Sequence, residues 1–412
     1  MKSLILFILL SICTLQGWSQ PTNDRGTYYS EGIENIEIGW TDIRKPKPLD
    51  PFIQNGWKYP KEQMDFRERI ISWWQSSYKP KGLMGEMIDY LYAPPAPLPM
   101  SNSSYDYNEA EKDNSRAFPN NYGAYARLHG NVSKTSTRKF WPTSGNLSYN
   151  TWAIIANNVP AINYQQVALS SPDEYYGTQP PRYDQENRGD YGADFYETYA
   201  RYCNFLNSPN LKNYDHYFDP VTRKYIVIMT KDRKPLPFEK VTVGEFLDRV
   251  EKQFPTMLKI VSAFGEKHPA TKLENAKKGL QIVKDRLKDK RNEYVYITPT
   301  AKFDFWWLAN TDERSNISDM IRTKPTEPRP GGGEYTYQPL VRLKKGVKES
   351  SVNAGPLWII FSIGVPVEVK YGGSKDAMDN FVNRFNYDYV YQYYFGDKKP
   401  TEAYKAVSVS SK

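Results

Sequence analysis

Residues 224–254 read KYIVIMTKDRKPLPFEKVTVGEFLDRVEKQF, and this stretch decides the fold class. Lys224 to Met229 is almost continuously apolar, as a strand buried on both faces would be. Thr242 is followed three residues later by Glu245, the spacing of a capping box, in which each side chain satisfies a backbone N–H that the first helical turn leaves unpaired. Val243, Phe246, Leu247, Val250 and Phe254 then recur at helical spacing and supply a stripe for burial. A buried strand and a capped amphipathic helix so close together point to a chain that mixes the two.

Reading onward, Pro269 breaks the pattern and a second helix runs from about Thr271 to Asn292. Its stripe of Leu273, Ala276, Leu280, Val283 and Leu287 opposes a charged face, so residues of about 242–292 form a helical hairpin. Tyr294-Val295-Tyr296-Ile297 follows as a strand. Lys324 to Gly333 holds three prolines and three successive glycines, the composition of a loop or hinge. The last part reads strand, helix, strand. Trp358–Ile363 and the alternating Val365, Val367 and Val369 come first. A helix capped by Ser374 then carries Ala377, Met378, Phe381, Val382 and Phe385. Tyr387 to Phe395 alternates aromatic and polar residues, as an edge strand does. A loose echo links 224–254 with 357–386, each offering a strand before a capped helix. The tail from Thr401 is expected to fray.

Reading back toward the start, Lys45-Pro46-Lys47-Pro48-Leu49-Asp50-Pro51 is too rich in proline for a helix or a central strand. Residues 20–60 therefore read as an extended arm. Phe66, Ile70, Trp73 and Trp74 predict one short helix, and Leu83, Met87, Ile88 and Leu91 a second, stopped at Pro94-Pro95. Met100 to Asn121 reads as a long loop. Asn146 to Gln166, with Trp152, Ile154 and Ile155, is β-like. Residues 190–206 predict an amphipathic helix through Tyr191, Phe195, Tyr199, Tyr202 and Leu206. The fold expected is α+β: short strands, a central helical hairpin, a C-terminal strand-helix-strand unit and long Pro- and Tyr-rich loops. Its divisions are 1–19, 20–60 (arm), 61–220 (mixed, with long loops), 221–400 (α+β) and 401–412 (tail).

The first nineteen residues read as a cleavable export signal. Lys2 supplies the positive start, Ser3 to Ile12 the apolar run, and Gly17-Trp18-Ser19 small residues at −3 and −1 of a cut before Gln20. The run is shorter than the roughly 20 residues of a membrane span, and no later segment approaches that length. Cys13 ends a faint lipobox, but Ile12 is large and branched where that signal takes a small residue, so lipid attachment is not expected. These features predict a chain exported to the periplasm or cell surface of a Gram-negative bacterium, or secreted. Once the signal is cut, Cys203 is the sole cysteine, and its aromatic surroundings suggest a buried, inert thiol.

The formal charge is +8. Much of it is local: Lys259 to Glu293 holds ten Lys and Arg against five Asp and Glu. A solvated helix face explains that run, and nucleic acid is not expected without a recognition motif. The aromatic load stands out, with 33 tyrosines and 10 tryptophans beside 30 prolines. Tyrosine combines a rigid apolar ring with a polar tip, which suits surfaces that bind while staying wet.

Chemistry-bearing motifs are sparse. Asp190, Asp194 and Glu197 share one helix face and are the carboxylates that could serve glycan hydrolysis, which needs two of them across a bond. His129, His216 and His268 read as surface or turn residues. Asp215-His216 with Asp219 comes nearest to metal spacing but lacks a second histidine or thiolate, so no metal and no cofactor is expected. No nucleophile elbow is present, and Gly331–Gly333 is followed by Glu-Tyr, which is not a phosphate loop. Of Trp73-Trp74 and of Trp306-Trp307, at most one each is expected in the core. The other is free to stack on a sugar, with Trp306 and Trp307 the stronger candidates. The expectation is a non-catalytic envelope protein that binds glycan or another envelope component through aromatic surfaces. The alternatives are a glycan or peptidoglycan hydrolase with dispersed carboxylates, and an assembly factor that binds a protein partner.

Overall fold

The computed structural model describes residues 27–29, 36–42, 53–54, 57–92, 118–129, 131–134, 140–142, 148–159, 161–162, 165–166, 174–179, 182–183, 201–263, 265–297, 321–328, 334–352, 355–365 and 372–408. The strands of its two principal sheets are, in chain order, β1 (Trp40–Asp42), β2 (Met84–Tyr92), β3 (Asn121–His129), β4 (Ser148–Ala156), β5 (Gln165–Gln166), β6 (Tyr176–Thr178), β7 (Asp215–Asp219), β8 (Lys224–Thr230), β9 (Phe238–Lys240), β10 (Tyr296–Ile297), β11 (Ile321–Arg322), β12 (Gln338–Leu343) and β13 (Trp358–Gly364). The main helices are α1 (Lys61–Ser77), α2 (Val243–Ala263), α3 (Pro269–Arg286), α4 (Gly372–Asn383) and α5 (Tyr387–Phe395). The class is α+β.

The larger sheet runs β7-β8-β13-β4-β3-β2-β1, antiparallel except for its parallel β1–β2 edge. It takes strands from both sides of position 220. One face carries Tyr122, Ala124, Ala126 and Leu128 of β3, Trp152 and Ile154 of β4, Tyr225, Val227 and Met229 of β8, and Ile359, Phe361 and Ile363 of β13. Helices α1, α4 and α5 cover it, as the period-2 alternation of strands requires of an apolar face. The opposite face of β8 and β13 presents Ile226, Ile228, Trp358 and Ile360 to Phe118, Val159, Ile162, Tyr175 and Leu343. Strand β8 is thus buried on both sides, in line with its unbroken apolar run.

A second layer is built on the smaller sheet, β5-β6-β12-β10-β11, with β9 on the same edge of β12 as β10. Helices α2 and α3 pack over it as the expected hairpin, through Phe246, Leu247, Val250, Phe254, Ala276, Leu280 and Val283. The capping box is formed: Thr242 N donates to Glu245 Oε2 at 3.0 Å, and Glu245 N donates to Thr242 Oγ1 at 3.3 Å. Strands β8 and β13 of the echo are neighbours in one sheet. Their following helices enter different cores, α2 the second and α4 the first.

Four expectations need correction. The predicted second helix is strand β2. Leu83, Met87 and Leu91 stand four apart, an interval that fits one face of a strand as well as a helix, and pairing with β3 decides between them. Tyr387–Phe395 is helix α5, so the C-terminal unit is strand, helix, helix. Asn386 caps it by accepting from Tyr389 N at 2.9 Å, and Tyr387 and Val390, three apart, go into the core. This local closure outweighs the strand preference of tyrosine, which mostly reflects packing in a sheet. Ser374 lies inside the first turn of α4 and not before it. Of the predicted 190–206 helix, the described end, Tyr202–Asn207, is a tight 3-10 segment with Cys203 and Asn204 left-handed.

Two regions read as loose are attached. Trp40, within the stretch read as an arm, sits edge-on to Trp74 and Tyr78 and donates Nε1 to Tyr78 O at 2.7 Å. In the tail, residues to 408 run along α1, α4 and α5, with Val407 N donating to Arg384 O at 2.7 Å. Thr326–Pro328 and Glu334–Thr336 pair as a hairpin where a loop or hinge was expected. No helix among the described residues is long and apolar enough to cross a membrane.

Candidate functional site

Helix α5 is the most aromatic helix among the described residues, reading YDYVYQYYF. Its tyrosines divide by helical geometry. Tyr387 is fully buried beneath Phe361, Phe381 and Phe385. Tyr389 and Tyr393, four apart, stack on one flank at 6.3 Å, and Trp73 meets both edge-on at 5.3 and 5.2 Å. Two cations lie over the Tyr393 ring, Arg69 at 5.2 Å and Lys399 at 4.9 Å. All three outer tyrosines, Tyr389, Tyr391 and Tyr393, remain half-exposed. The Tyr389–Tyr393 pair is fringed by positive charge, the arrangement that favours cation–π contact.

Tyr391 takes the other flank and packs against Tyr214 and Arg233, which with Asn213, Asp215, Thr230 and Lys234, among others, line a cleft of about 250 Å³. The cleft forms where β7 begins, β8 ends and the chain turns through Lys231–Arg233. Asp232 and Arg233 are both left-handed there, at φ 56° and 55°. Left-handed backbone costs a side-chain-bearing residue energy, and such strain gathers at sites of function. The turn sets the Arg233 guanidinium 5.4 Å from the centre of the Tyr391 ring. Tyr214 packs against Tyr391 at 5.9 Å and gives its hydroxyl proton to Asp388. Burial, with the Asp388 carboxylate beside it, pushes the Tyr214 hydroxyl far up, so it stays a neutral donor.

The acidic groups at this cleft are already engaged. Asp215 holds Arg182 in a two-pronged ion pair, Asp388 accepts from Tyr214, and Asp232 pairs with Lys234 at 3.0 Å. Arg233, by contrast, makes no hydrogen bond or ion pair among the described residues. The site therefore offers rings, hydroxyls and one uncommitted guanidinium.

The residues singled out by sequence fare differently. Asp190, Asp194, Glu197, Trp306 and Trp307 lie outside the described residues. Trp73 and Trp74 are both buried, at 7% and 0% exposure, against the expectation of one each. Neighbours on a helix point about 100° apart, and α1 is buried on both of those sides. Trp74 stacks on Trp152 at 6.1 Å, and Trp73 faces α5 and the tail. Cys203 is a buried free thiol, and burial pushes it far above its usual range, so no reactive thiolate forms.

Two of the three histidines, His129 and His216, also depart from the surface or turn reading. His129 lies half-buried on β3, 2.8 Å from Glu86 Oε2. His216 sits half-buried on β7, its ring nitrogens 2.8 and 3.2 Å from the carbonyls of Tyr214 and Leu206. His268 is exposed just before α3, as expected of a turn residue. Asp219, the third member of the metal-like set, instead ties its own turn by accepting from Val221 N, Thr222 N and Thr222 Oγ1. Among the described residues no three His, Cys, Asp or Glu side chains gather closely enough to hold a metal ion.

Sequence reasoning missed Tyr391 and Arg233. The signal available was Asn386 followed by Asp388, a helix start that turns the tyrosine run from a strand into a two-flanked helix. No known family, curated protein or solved structure matches the chain, and the site's own chemistry carries the functional reading.

Proposed function

We propose that this chain is an exported, non-catalytic envelope protein that binds glycan through the tyrosine surface of α5 and the adjoining cleft. The observation that carries the reading is the set of half-exposed rings of Tyr389, Tyr391 and Tyr393 with Arg69, Lys399 and Arg233 over two of them. A pyranose ring has apolar C–H faces and hydroxyl edges. An aromatic face takes the first, and tyrosine hydroxyls, guanidinium and ammonium groups take the second. The export reading of residues 1–19 puts such a surface where envelope polysaccharides are found. Hydrolysis draws less support, because it needs one carboxyl free to give a proton and another free to attack or activate water. Asp215 and Asp388 at the cleft are both held by partners.

Calorimetric titration of the chain beginning at Gln20 with soluble glycans and peptidoglycan fragments tests this. Saturable binding is expected, weakened about tenfold, or ~1.4 kcal/mol, by Tyr391→Ala or Tyr393→Ala with thermal melting kept. Silence across the panel, together with a defined protein complex recovered by crosslinking, overturns it in favour of assembly.

A further inference from the structure

We propose that the Arg233 corner of the cleft is an oxyanion subsite and that the glycan it serves is acidic, its recognised group a sugar carboxylate. This rests on the glycan reading above and makes it specific.

Arg233 has the properties of a waiting anion receptor. Guanidinium presents five N–H donors in a planar fork that matches a carboxylate two-pronged, and its weak hydration lets it work at a partly dry surface. At Arg233 none of those donors is used by another described residue, although Asp215, Arg182, Asp232, Lys234 and Asp388 nearby have all found partners. Two features orient this exposed side chain. The consecutive left-handed residues Asp232 and Arg233 fix the direction from which the side chain leaves the backbone. The guanidinium carbon lies over the Tyr391 ring, 5.4 Å from its centre, and Tyr214 and Phe395 pack against Tyr391 in turn.

Pairing of the surrounding charges does further work. Asp232 is drawn off by Lys234 and Asp215 by Arg182, so neither competes with an incoming carboxylate. The cleft, about 250 Å³, falls below the roughly 300 Å³ at which pockets bury drug-sized ligands. It suits one sugar residue with its acidic group, the rest of an oligosaccharide lying across the tyrosines of α5. A planar carboxylate fits the fork better than it fits a point charge, so arginine and lysine are not equivalent here.

The test uses the chain beginning at Gln20 and three probes: tri-galacturonate, its methyl ester (the same size, uncharged) and galactose 1-phosphate. Tri-galacturonate is expected to bind at least tenfold more tightly than the ester, with affinity falling as salt rises. Arg233→Ala should remove that preference and Arg233→Lys should restore little of it, with circular dichroism and melting unchanged in both. Stronger binding of galactose 1-phosphate than of tri-galacturonate would overturn the carboxylate assignment. Equal binding of acid and ester, both lost in Tyr391→Ala, would overturn the subsite and leave the glycan reading standing. Binding of none of the probes or of neutral oligosaccharides would overturn both.

Discussion

Tyr404 lies nearly flat on Trp73, ring centroids 5.5 Å apart and planes 16° from parallel. Its hydroxyl accepts from Asn386 N at 2.8 Å and sits 2.6 Å from Ser77 Oγ, whose own proton goes to Trp73 O at 2.7 Å. Tyr404 is therefore the donor to Ser77. One hydrogen-bonded chain joins the cap of α5, the tail and the last turn of α1, and polarisation along such a chain strengthens its members.

Removing the tail should therefore destabilise the protein. Tyr404→Phe is expected to cost about 1–2 kcal/mol, since it strips two bonds from a buried junction. Deleting residues 401–412 should cost more and shift tryptophan emission to the red as Trp73 meets water. Urea denaturation followed by fluorescence measures both, and an unchanged midpoint in the deletion would show that the tail adds nothing.

Alkaline pH should unfold the chain cooperatively. Burial pushes the Tyr404 hydroxyl up to about 12, and burial also raises Tyr122, Tyr225 and Tyr387. A phenol held protonated by the fold contributes stability that is fully present below its unfolded value near 10. That stability is lost as pH rises through the folded value, because the unfolded chain gives up its protons first. Tyrosinate absorbance and circular dichroism, followed from pH 9 upward, should show the buried rings ionising only as helix signal is lost. Ionisation of every tyrosine near pH 10 with the fold intact would contradict this.

How much of this was legible depended on whether the deciding partner lay nearby in sequence. Thr242 and Glu245 are three apart, and their box could be read directly. The unbroken apolar run of β8 announced burial on both faces, and the stripes of α2 and α3 announced the hairpin. For Leu83, Met87 and Leu91 a spacing of four fits both strand and helix, and the arbiter, β3, begins at Asn121. The tail looked polar and terminal because the partners of Tyr404, at Trp73 and Ser77, are more than three hundred residues away. The cleft was illegible for the same reason. Tyr214, Arg233 and Tyr391 come from three separate segments, and nothing local to Arg233 shows that its donors stay unused.

Asp219 should respond to acid in the direction opposite to most carboxylates. Burial raises it above its usual 3.8, outweighing the bonds from Thr222 and Val221 that favour the charged form. The fold thus binds its proton more tightly than the unfolded chain does. That contribution is full below the unfolded value and is lost as pH rises through the folded one. Asp219→Asn keeps an acceptor for Val221 N and Thr222 N without the buried charge, and should match or exceed the parent at neutral pH. Asp219→Ala leaves those donors unpaired and should cost about 1–3 kcal/mol. Denaturation at pH 4 and pH 7 separates the cases, and a loss with Asn equal to that with Ala would refute the assignment.

Gly85 is required by Trp40. A Cβ at position 85 would overlap the Trp40 ring that lies across β2, and that ring is fixed by its bond to Tyr78 O. Gly85→Ala is expected to cost about 1–3 kcal/mol through overpacking. Trp40→Ala is costly alone, but Gly85→Ala should then add little to it, which a double-mutant cycle measures. Additive losses would mean that the two positions do not meet.

The turn that carries Arg233 should show a trade between stability and binding. Asp232 is left-handed, a conformation glycine adopts without steric cost. Its pair with Lys234 is exposed, and such pairs contribute little. Asp232→Gly should therefore leave folding unchanged or stabilise it, by up to about 1 kcal/mol. The same change frees the backbone that aims Arg233 at Tyr391, so the guanidinium must be ordered when ligand arrives. Affinity for tri-galacturonate should drop severalfold while the melting temperature holds or rises. Were affinity also to hold, the strain would have no part in placing Arg233, and Tyr391 alone would position it.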